Sequence, residues 1–438
     1  MNEFLVPSLC GRTYLYGRNA AASVSSRIVT ALTMHIRPGI LSDALQEAAV
    51  RFPQIAVGLS VCDERYVFTT PEAKVPVFDA QEQMPEDFSD SRLNGYLFRV
   101  SFHHKTIFFD FHRSIADEFG MISFVKAVLL RYLELSGFPV RTDGSVKLMS
   151  SEYFKAEGDD PMVRMDDVNA SRPVWYMDAK AVVPEPVTVS MEQVVQVRIP
   201  LHKLKRDYSE LGNVPVTYIA PFFSHAVHEM IAGEMEVGEY VVASVQVNLR
   251  PYYPSASLRP YHTPIFLAYN RNLTDYPYGT VLMSQKKLLE AQLKNDTLAY
   301  SAQRKIADIE KAYDVKGPME EVDRNFDAVN EAMRKRSTYD ICRIGNVILP
   351  DSMQRLVTEF YPVIPSGNRL FSVTVETFRG ELCITVSGKR NTGSVCGRLV
   401  ELLQENEQVQ VSPLSRLVYN TFFPKPHTCP RRKDDEPT

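Results

Sequence analysis

Apolar and polar positions in the first part of the chain recur at spacings that distinguish strands from helices. A largely apolar run at 26–36 predicts a strand. The next segment, 41–53, has apolar residues at helical spacing, with Ser42 as its expected N-cap. The apolar segments 55–61 and 65–70 lie on either side of a polar turn and predict two further strands. The chain therefore begins with both element types.

A hairpin followed by a helix is the clearest pattern in the first half. Aromatic and polar residues alternate over 96–114, which predicts a hairpin that turns near His104 and Lys105. Apolar residues then recur every three or four positions from Glu118 to Leu135, which is typical of a helix. Asp117 precedes this run and is the expected N-cap.

The second half repeats this alternation of strands and helices. A helix at 217–231 is expected to be capped by Thr217, and a long helical pair follows later. The predicted elements are a strand at 192–199, a helix at 217–231, a strand at 240–250, a Pro/Tyr-rich loop at 251–264, a helical pair at 281–313, a hairpin at 369–390 and a helix at 392–405.

The length and the local composition divide the chain. A chain of 438 residues exceeds one ordinary hydrophobic core, so two to three domains are expected. Residues 136–190 are polar, acidic in patches and rich in Pro near their end, which indicates a crossover between domains. We predict an N-terminal lobe at 1–185, a C-terminal lobe at 186–423 and a disordered tail at 424–438.

The connections between strands indicate the fold class. Helices alternate with strands in both halves, yet several neighbouring strands are joined by hairpins. Hairpins make antiparallel pairs, whereas an all-parallel sheet needs a crossover after every strand. The pattern therefore predicts an α/β protein with mixed sheets flanked by helices.

Composition and charge exclude several classes of protein. A net charge of -4 argues against a nucleic-acid partner, and the longest apolar runs are too short for a membrane span. The N-terminus lacks the pattern of a secretory signal. The six cysteines are scattered without a Cys-x-x-Cys pair, so we expect a reduced protein in the cytoplasm.

The stretch FHRSIADEFG, residues 111–120, concentrates the candidate chemistry. It places His112, Arg113 and Asp117 at the junction between the predicted hairpin and the predicted helix. Other histidines have simpler explanations. His225 and His228 are three residues apart on a predicted helix without an evident third ligand, and the pair His103–His104 lies at a hairpin turn. No metal site is expected.

The chain resembles bacterial alcohol acetyltransferase-like proteins, of the superfamily that includes chloramphenicol acetyltransferase and the condensation domains of peptide synthetases. The resemblance covers almost the whole chain. It rests on ALTMHI…LSDALQEAAVRFPQIAV, FHRSIADEFGMISFVKAVLLRYLELSG, VPVTYIAPFFSHAV, VNLRPYYPSASLR and IGNVILP…FSVTVETFRGELCITVS, in this order. The resemblance implies two similar α/β lobes with a tunnel between them, where a thioester donor and an acceptor enter from opposite faces.

The central motif of that superfamily reads His-His-x-x-x-Asp-Gly, and its second histidine is the general base. Alignment on Asp117 places His112 at the first, non-catalytic position and Arg113 at the catalytic one, and Glu118 replaces the glycine. The resemblance implies that the aspartate is structural and forms an ion pair with an arginine. Arg250 is one candidate for that arginine.

Arg51 is the other candidate for the arginine that pairs with Asp117.

The altered motif has a physical consequence. A guanidinium has no acceptor lone pair, so Arg113 cannot be a general base near neutral pH. His112 points to the opposite face of its strand unless a local bulge turns it inward, and only then is it the expected base. Arg113 is instead expected to bind an anionic group or to lie at the surface.

A second difference from the superfamily lies near the floor of the implied tunnel. The superfamily often has Ser-Asn-Leu-Gly there, whereas this chain has Cys342, Arg343, Ile344 and Gly345. Cys342 and Arg343 are therefore candidates for substrate binding.

The resemblance implies transfer of an acyl group from a thioester to a hydroxyl or an amine of a small-molecule acceptor. The donor is acyl-CoA or another acyl thioester, a carrier protein is an alternative source of it, and no tightly bound cofactor is expected. Because Arg113 occupies the position of the base, two alternatives stay open. One is a non-catalytic protein that binds ligands in the tunnel, and the other is a repurposed biosynthetic enzyme that uses Arg113 as a hydrogen-bond donor.

Overall fold

The structure is a computed structural model, and its described part leaves out several short segments and the C-terminus. The tail predicted at 424–438 lies outside the described residues. The residues described are 5–17, 24–81, 88–173, 179–185, 192–203, 215–269 and 271–405.

Strands and helices alternate along the chain as the patterning predicts. The strands are β1 (Ser25–Leu32), β2 (Gly58–Cys62), β3 (Arg65–Thr69), β4 (Val77–Asp79), β5 (Phe98–His103), β6 (Thr106–His112), β7 (Lys180–Ala181), β8 (Gln193–Pro200), β9 (Glu239–Asn248), β10 (His262–Tyr269), β11 (Tyr339–Asn346), β12 (Val357–Val363), β13 (Phe371–Phe378) and β14 (Glu381–Gly388). The helices are α1 (Leu9–Leu15), α2 (Pro38–Arg51), α3 (Glu118–Leu135), α4 (Pro215–Ile231), α5 (Tyr278–Gln292), α6 (Asn295–Tyr313), α7 (Met319–Arg334), α8 (Asp351–Gln354) and α9 (Thr392–Glu405).

The first sheet has the strand order β12-β1-β6-β5-β4. The hairpin of β5 and β6 is antiparallel, and β4 adds to it in parallel. The outer strand β12 comes from the second half of the chain and pairs antiparallel with β1. The boundary that we predicted at residue 185 stays a prediction, and β12 contributes to the first sheet from beyond it.

The second sheet has the order β10-β9-β11-β13-β14-β8, with the short β7 beside β9. Strand β11 runs parallel to both of its neighbours, β9 and β13, whereas β14 is antiparallel to both of its neighbours, β13 and β8. Helices α4 and α9 pack together on this sheet. Strands β2 and β3 form a separate antiparallel pair. Both large sheets are mixed and flanked by helices, which confirms the predicted fold class.

A buried cluster of charges stabilises the centre of the first sheet. The carboxylate of Asp110 on β6 lies between Arg27 on β1, with an Oδ1–Nε distance of 2.5 Å, and Arg99 on β5, with an Oδ2–Nε distance of 2.9 Å. Burial alone would raise the pKa of Asp110, but the two guanidinium groups hold it below its ordinary value. The carboxylate is therefore ionised, and each charge has a partner.

Two expected N-caps are wrong because the helices begin earlier than predicted. Helix α2 begins at Pro38, a residue favoured in the first turn, so that Ser42 lies inside the helix. Helix α4 begins at Pro215, and Thr217 is also inside it. The sequence patterns also missed α1, α7, β11 and β12.

Strand β10 begins at His262, inside the segment 251–264 that was predicted as a loop. In the part of the chain that the structure describes, no helix combines the length and the hydropathy that a bilayer span requires.

Candidate active site between the lobes

Asp117 holds together the junction between β6 and α3. Its Oδ1 caps the helix by accepting a hydrogen bond from the backbone N–H of Gly120 at 2.9 Å. Its Oδ2 accepts from Nη1 of Arg250 at 2.8 Å and from the backbone N–H of Tyr261 at 2.9 Å. The ion pair therefore ties the first turn of α3 to the segment that precedes β10.

The arginine that pairs with Asp117 is Arg250, one of the two candidates from the sequence. The other candidate, Arg51, instead forms a two-pronged ion pair with Glu157, at 2.9 and 3.0 Å. A glycine completes the junction, because a Cβ at position 120 would lie 1.9 Å from the carbonyl oxygen of Leu258. The first turn of α3 can approach the neighbouring segment this closely only with Gly120.

Arg113 follows the last residue of β6 and is buried, with 9% of its surface exposed. Its Nε lies 3.1 Å from Oε1 of Glu118, and its Cζ lies 4.7 Å from the ring centroid of Tyr14 on α1. Burial alone would lower the pKa of Arg113, but Glu118 and, to a smaller extent, Tyr14 and other neighbours together outweigh burial and raise it. The guanidinium therefore stays charged and cannot accept a proton.

Glu118 and Cys342 lie next to each other on the same side of Arg113. The Sγ of Cys342 is 3.8 Å from Oε2 of Glu118. Burial, together with this carboxylate, raises the pKa of the Cys342 thiol well above its ordinary value. Cys342 is therefore a neutral thiol and not a nucleophile.

His112 is the last residue of β6, and its ring contacts residues away from Arg113. Its Nδ1 lies 2.6 Å from Oγ of Ser114 and 3.3 Å from the backbone N of the same residue. The ring of Phe88 packs edge-on at a centroid distance of 5.8 Å. His112 is not among the residues that line the cavity next to Arg113. The bulge that would turn it inward is not present in the regular pairing of β6 with β1.

A cavity of about 140 Å³ lies between the lobes, and Arg113 is part of its wall. Charged and hydrogen-bonding side chains from both halves of the chain surround it, so we call it the polar cavity. Its polar lining includes Tyr14 and Arg113 from the N-terminal part and Gln246, His262, Lys305 and Cys342 from the C-terminal part.

The described residues that line the polar cavity include one histidine, His262, which is only 5% exposed. Its Nε2 lies 3.3 Å from the hydroxyl of Tyr14. Within the described residues, its Nδ1 has no hydrogen-bond partner. Burial lowers the pKa of His262 well below its ordinary value, and the positive charges of Lys305 and Arg113 add to this effect. The imidazole is therefore neutral near pH 7.

A second cavity, of about 220 Å³, lies next to the polar cavity, and Gln246 lines both. We call it the apolar cavity because aliphatic and aromatic side chains form most of its wall. Arg343 lines it, whereas its neighbour Cys342 lines the polar cavity. The apolar lining includes Phe119, Val245, Val247, Ile265, Leu289 and Ile344.

The other histidines that the sequence singled out are used in local contacts. Nε2 of His225 donates a hydrogen bond to the carboxylate of Glu229 at 3.0 Å, and its Nδ1 lies 2.9 Å from the hydroxyl of Tyr278. The pair His103–His104 forms the turn between β5 and β6, where the backbone φ of His104 is +50°. The described residues contain no cluster of three or more metal-ligating side chains.

Sequence reasoning found the junction but missed much of the cavity wall. Tyr14 and His262 belong to no motif, and His262 lies in a segment that was predicted as a loop. The acidic replacement at 118 was visible, but its contact with Arg113 was not inferred. The available signal was that an arginine at 113 and a glutamate at 118, with opposite charges, lie only five positions apart in the sequence.

In comparisons with known proteins, the similarity of this chain is found in its structure and not in its sequence. No protein-family model and no curated protein matches the sequence.

Several solved structures share the fold at low sequence identity. Polyketide synthase associated protein 5 from Mycobacterium tuberculosis superposes with a TM-score of 0.59 at 11% identity, over 91% of this chain and 96% of that one. Trichothecene 15-O-acetyltransferase from Fusarium sporotrichioides gives 0.55 at 11% identity, over 91% and 94%. The starter condensation domain of rhizomide synthetase, in complex with C8-CoA, gives 0.55 at 13% identity, over 93% and 97%. The chain therefore has the two-lobed fold of condensation domains and of this acetyltransferase.

Proposed function

We propose that this protein transfers an acyl group from a thioester to a hydroxyl or an amine of a small molecule bound between the lobes. One observation carries the proposal. The junction capped by Asp117 brings a charged side chain, that of Arg113, to the wall of a cavity between the lobes. The proposal is supported by the shared fold, since one protein with this fold is named an acetyltransferase.

Arg113 is the group that would stabilise charge during the transfer. Attack on a thioester places negative charge on the carbonyl oxygen, and a fixed cationic donor in a buried site stabilises that charge. Arg113 is held in place by Glu118 and by the ring of Tyr14. Asp117 has a structural role, because each of its oxygens already accepts a hydrogen bond.

The two cavities support a division between donor and acceptor. We propose that the acyl chain lies in the apolar cavity, where Val247 and Leu289 offer an apolar surface, and that the acceptor lies in the polar cavity. Cys342 and Arg343 would then contact acceptor and donor respectively, since they line different cavities.

Acyl-CoA is the donor that we propose first. A structure with the same fold was determined with C8-CoA, which supports this choice for a related tunnel. Other structures with the fold are parts of nonribosomal peptide synthetases, so a thioester on a carrier protein is the alternative donor. Neither reaction needs a resident cofactor.

The test is thiol release from a panel of CoA thioesters, each mixed with a panel of alcohols and amines, with the acylated product identified by mass spectrometry. We expect release that falls about 100- to 1000-fold in Arg113→Ala, which is the usual loss for one oxyanion donor. Arg92→Ala, which removes an exposed arginine that lines neither cavity, is the matched control. A wild-type protein that releases no thiol with any pair would contradict the proposal.

The apolar cavity provides an independent readout of the same proposal. Val247→Phe fills part of this cavity, so we expect a shift of the preferred donor toward shorter acyl chains. An unchanged chain-length preference would show that the acyl group binds elsewhere.

His112 remains a predicted base that the same assay tests. Its ring is hydrogen-bonded to Ser114 and does not line the polar cavity, so we expect His112→Ala to keep thiol release. Loss of release in a folded variant would return His112 to the mechanism.

A second candidate function is ligand binding without turnover, and the ion pair between Arg113 and Glu118 favours it. This pair occupies the positions of the catalytic histidine and the glycine in the superfamily that the sequence resembles. Native mass spectrometry of the purified protein, and equilibrium binding of acyl-CoA, would distinguish the two. Binding without any thiol release supports this candidate.

We also propose that the protein acts in the reducing cytoplasm. Within the described residues, Cys10, Cys62, Cys342, Cys383 and Cys396 are free thiols. Mass measurement of the protein purified without reductant tests this, because a disulfide would lower the mass and contradict the proposal.

A further inference from the structure

We infer that His262, rather than a residue of the FHRSIADEFG stretch, accepts the proton of the acceptor hydroxyl. This inference rests on the proposed acyl transfer and identifies the general base that this transfer requires. Arg113 cannot accept a proton, and His112 does not line the polar cavity. Among the residues that line this cavity, His262 is the histidine, and it shares the cavity with Arg113.

The surroundings of His262 suit a proton acceptor. Tyr14 lies 3.3 Å from Nε2, which fixes one side of the ring. When Nε2 carries the proton and donates a hydrogen bond to the tyrosine oxygen, Nδ1 has a free lone pair. This nitrogen is buried, and no described residue forms a hydrogen bond with it. A buried acceptor without a protein partner is costly unless a ligand supplies the donor, and an acceptor hydroxyl is such a donor.

Tyr14 connects His262, the proposed proton acceptor, to Arg113, the proposed stabiliser of the carbonyl oxygen. Its ring packs under the guanidinium of Arg113, and its hydroxyl contacts His262. Burial raises the pKa of Tyr14, so that it remains a neutral phenol. Tyr14 is therefore a positioning residue that fixes the ring of His262 relative to Arg113.

The surrounding charges also favour rapid return of the proton. The cations near the imidazole are Lys305, Arg113 and Arg250, and they make the protonated ring unfavourable. The neutral ring, the form that can accept a proton, is present at pH 7, and the imidazolium formed during the reaction gives up its proton more readily than an ordinary one. Lys305 is held on this side by a 3.1 Å hydrogen bond from Nζ to the carbonyl oxygen of His262.

The transfer then proceeds in two steps. Nδ1 of His262 takes the hydroxyl proton while the hydroxyl oxygen bonds to the thioester carbonyl carbon, and Arg113 stabilises the negative charge on the carbonyl oxygen. When the carbon–sulfur bond breaks, the thiolate leaves with the electron pair and takes the proton from His262. The products are an ester and a free thiol, and the enzyme returns to its starting state.

The experiment uses the acyl-CoA and alcohol pair that gives the fastest thiol release with the wild-type protein. His262→Gln keeps a hydrogen-bonding partner for Tyr14 but has no basic nitrogen, so we expect kcat/KM to fall about 100- to 10,000-fold. His228→Gln replaces a buried histidine on α4, outside the cavity, and is expected to leave kcat/KM unchanged. Circular dichroism confirms that both variants are folded.

Chemical rescue separates catalysis from a structural role. In His262→Ala, added imidazole should fill the space of the missing ring and restore at least part of the thiol release. Tyr14→Phe, which removes only the hydroxyl, should lower kcat by less than His262→Gln does.

Three outcomes overturn the inference. If the folded His262→Gln variant still releases thiol, the inference is overturned and the proposed function stands. Loss in His262→Ala without any rescue by imidazole assigns His262 a structural role only. No release by the wild-type protein with any donor and acceptor overturns the inference and the proposed function together.

Discussion

Asp117 and Glu118 are adjacent carboxylates at the start of α3, and their surroundings differ completely. Asp117 accepts hydrogen bonds from the helix, from Arg250 and from the backbone of Tyr261. Glu118 contacts Arg113 and Cys342, which both line the polar cavity. Both carboxylates are almost fully buried.

The difference separates stability from chemistry. The contacts of Asp117 connect two segments that are far apart in sequence. Their effect is therefore measured by the free energy of unfolding. The contacts of Glu118 set the charge and the reactivity of groups at the cavity. Their effect is therefore measured by enzymatic activity and by chemical labelling. Because the two residues are neighbours, one change at each position tests this division directly.

The largest effect is expected for Asp117→Ala. The change removes the helix cap, which contributes about 1 kcal/mol, and leaves Arg250 without its carboxylate. Breaking a buried ion pair typically costs about 3–5 kcal/mol, so we expect the unfolding free energy to fall by at least about 3 kcal/mol. Denaturation with urea measures the loss.

The matched control for that change is Asp90→Ala. Asp90 also caps a helical turn and pairs with an arginine, Arg92, but the pair is far more exposed than that of Asp117. Exposed pairs contribute about 0–1 kcal/mol, so a loss below about 2 kcal/mol is expected after the cap is included. Equal losses for the two variants would show that burial of the Asp117 pair has no energetic effect.

An intermediate effect is expected on the other side of the comparison. Glu118→Gly leaves the buried guanidinium of Arg113 without its counter-charge, and Arg113→His removes the group that neutralises Glu118. Each single change should destabilise the protein by about 1–3 kcal/mol, as for other buried polar groups that lose a partner. Thermal and urea unfolding of both variants measure this.

The double variant Arg113→His with Glu118→Gly tests whether the two residues act as a pair. It should lose less stability than the sum of the single changes, by about 0.5–3 kcal/mol, because neither charge is left alone. It also introduces a histidine at position 113, so its thiol release should no longer depend on His262. Simple additivity of the two losses would contradict the pairing.

The smallest effect concerns the thiol next to Glu118. Burial and Glu118 raise the pKa of Cys342, whereas Cys62 is exposed. At pH 8 we expect iodoacetamide to label Cys62 first and Cys342 slowly, since only the thiolate reacts. In Glu118→Gln the pKa of Cys342 should fall while Arg113 stays charged, and labelling should speed up. Mass spectrometry of the cysteine peptides measures both rates.

The local pattern of apolar and polar residues predicted those strands and helices whose sequence signals lie within a short stretch of the chain. The hairpin of β5 and β6 and the helix α3 with its cap at Asp117 are confirmed. Strand β10 was hidden because it contains Pro264, which normally argues against a strand. The proline is tolerated because β10 is the edge strand of its sheet. Helix α7 was missed although its buried residues Met319, Val322 and Phe326 recur at helical spacing.

The candidate site was predictable only as far as the motif extends. The alignment on Asp117 identified Arg113 as the altered position, and Arg250 was one of two named partners. The contacts of Arg113 with Tyr14, and of Tyr14 with His262, join residues about 100 to 250 positions apart. Such contacts depend on how the lobes pack, and no spacing in the sequence encodes them.

The pairing of β12 with β1 sets an order for synthesis. Strand β1 is translated about 300 residues before the strand that covers its outer edge. At a synthesis rate of about 5–20 residues per second, that edge waits roughly 15–60 s for its partner. Unpaired edges of this kind invite pairing with other chains. The ribosome-bound nascent chain is therefore the form of this protein most in need of a chaperone.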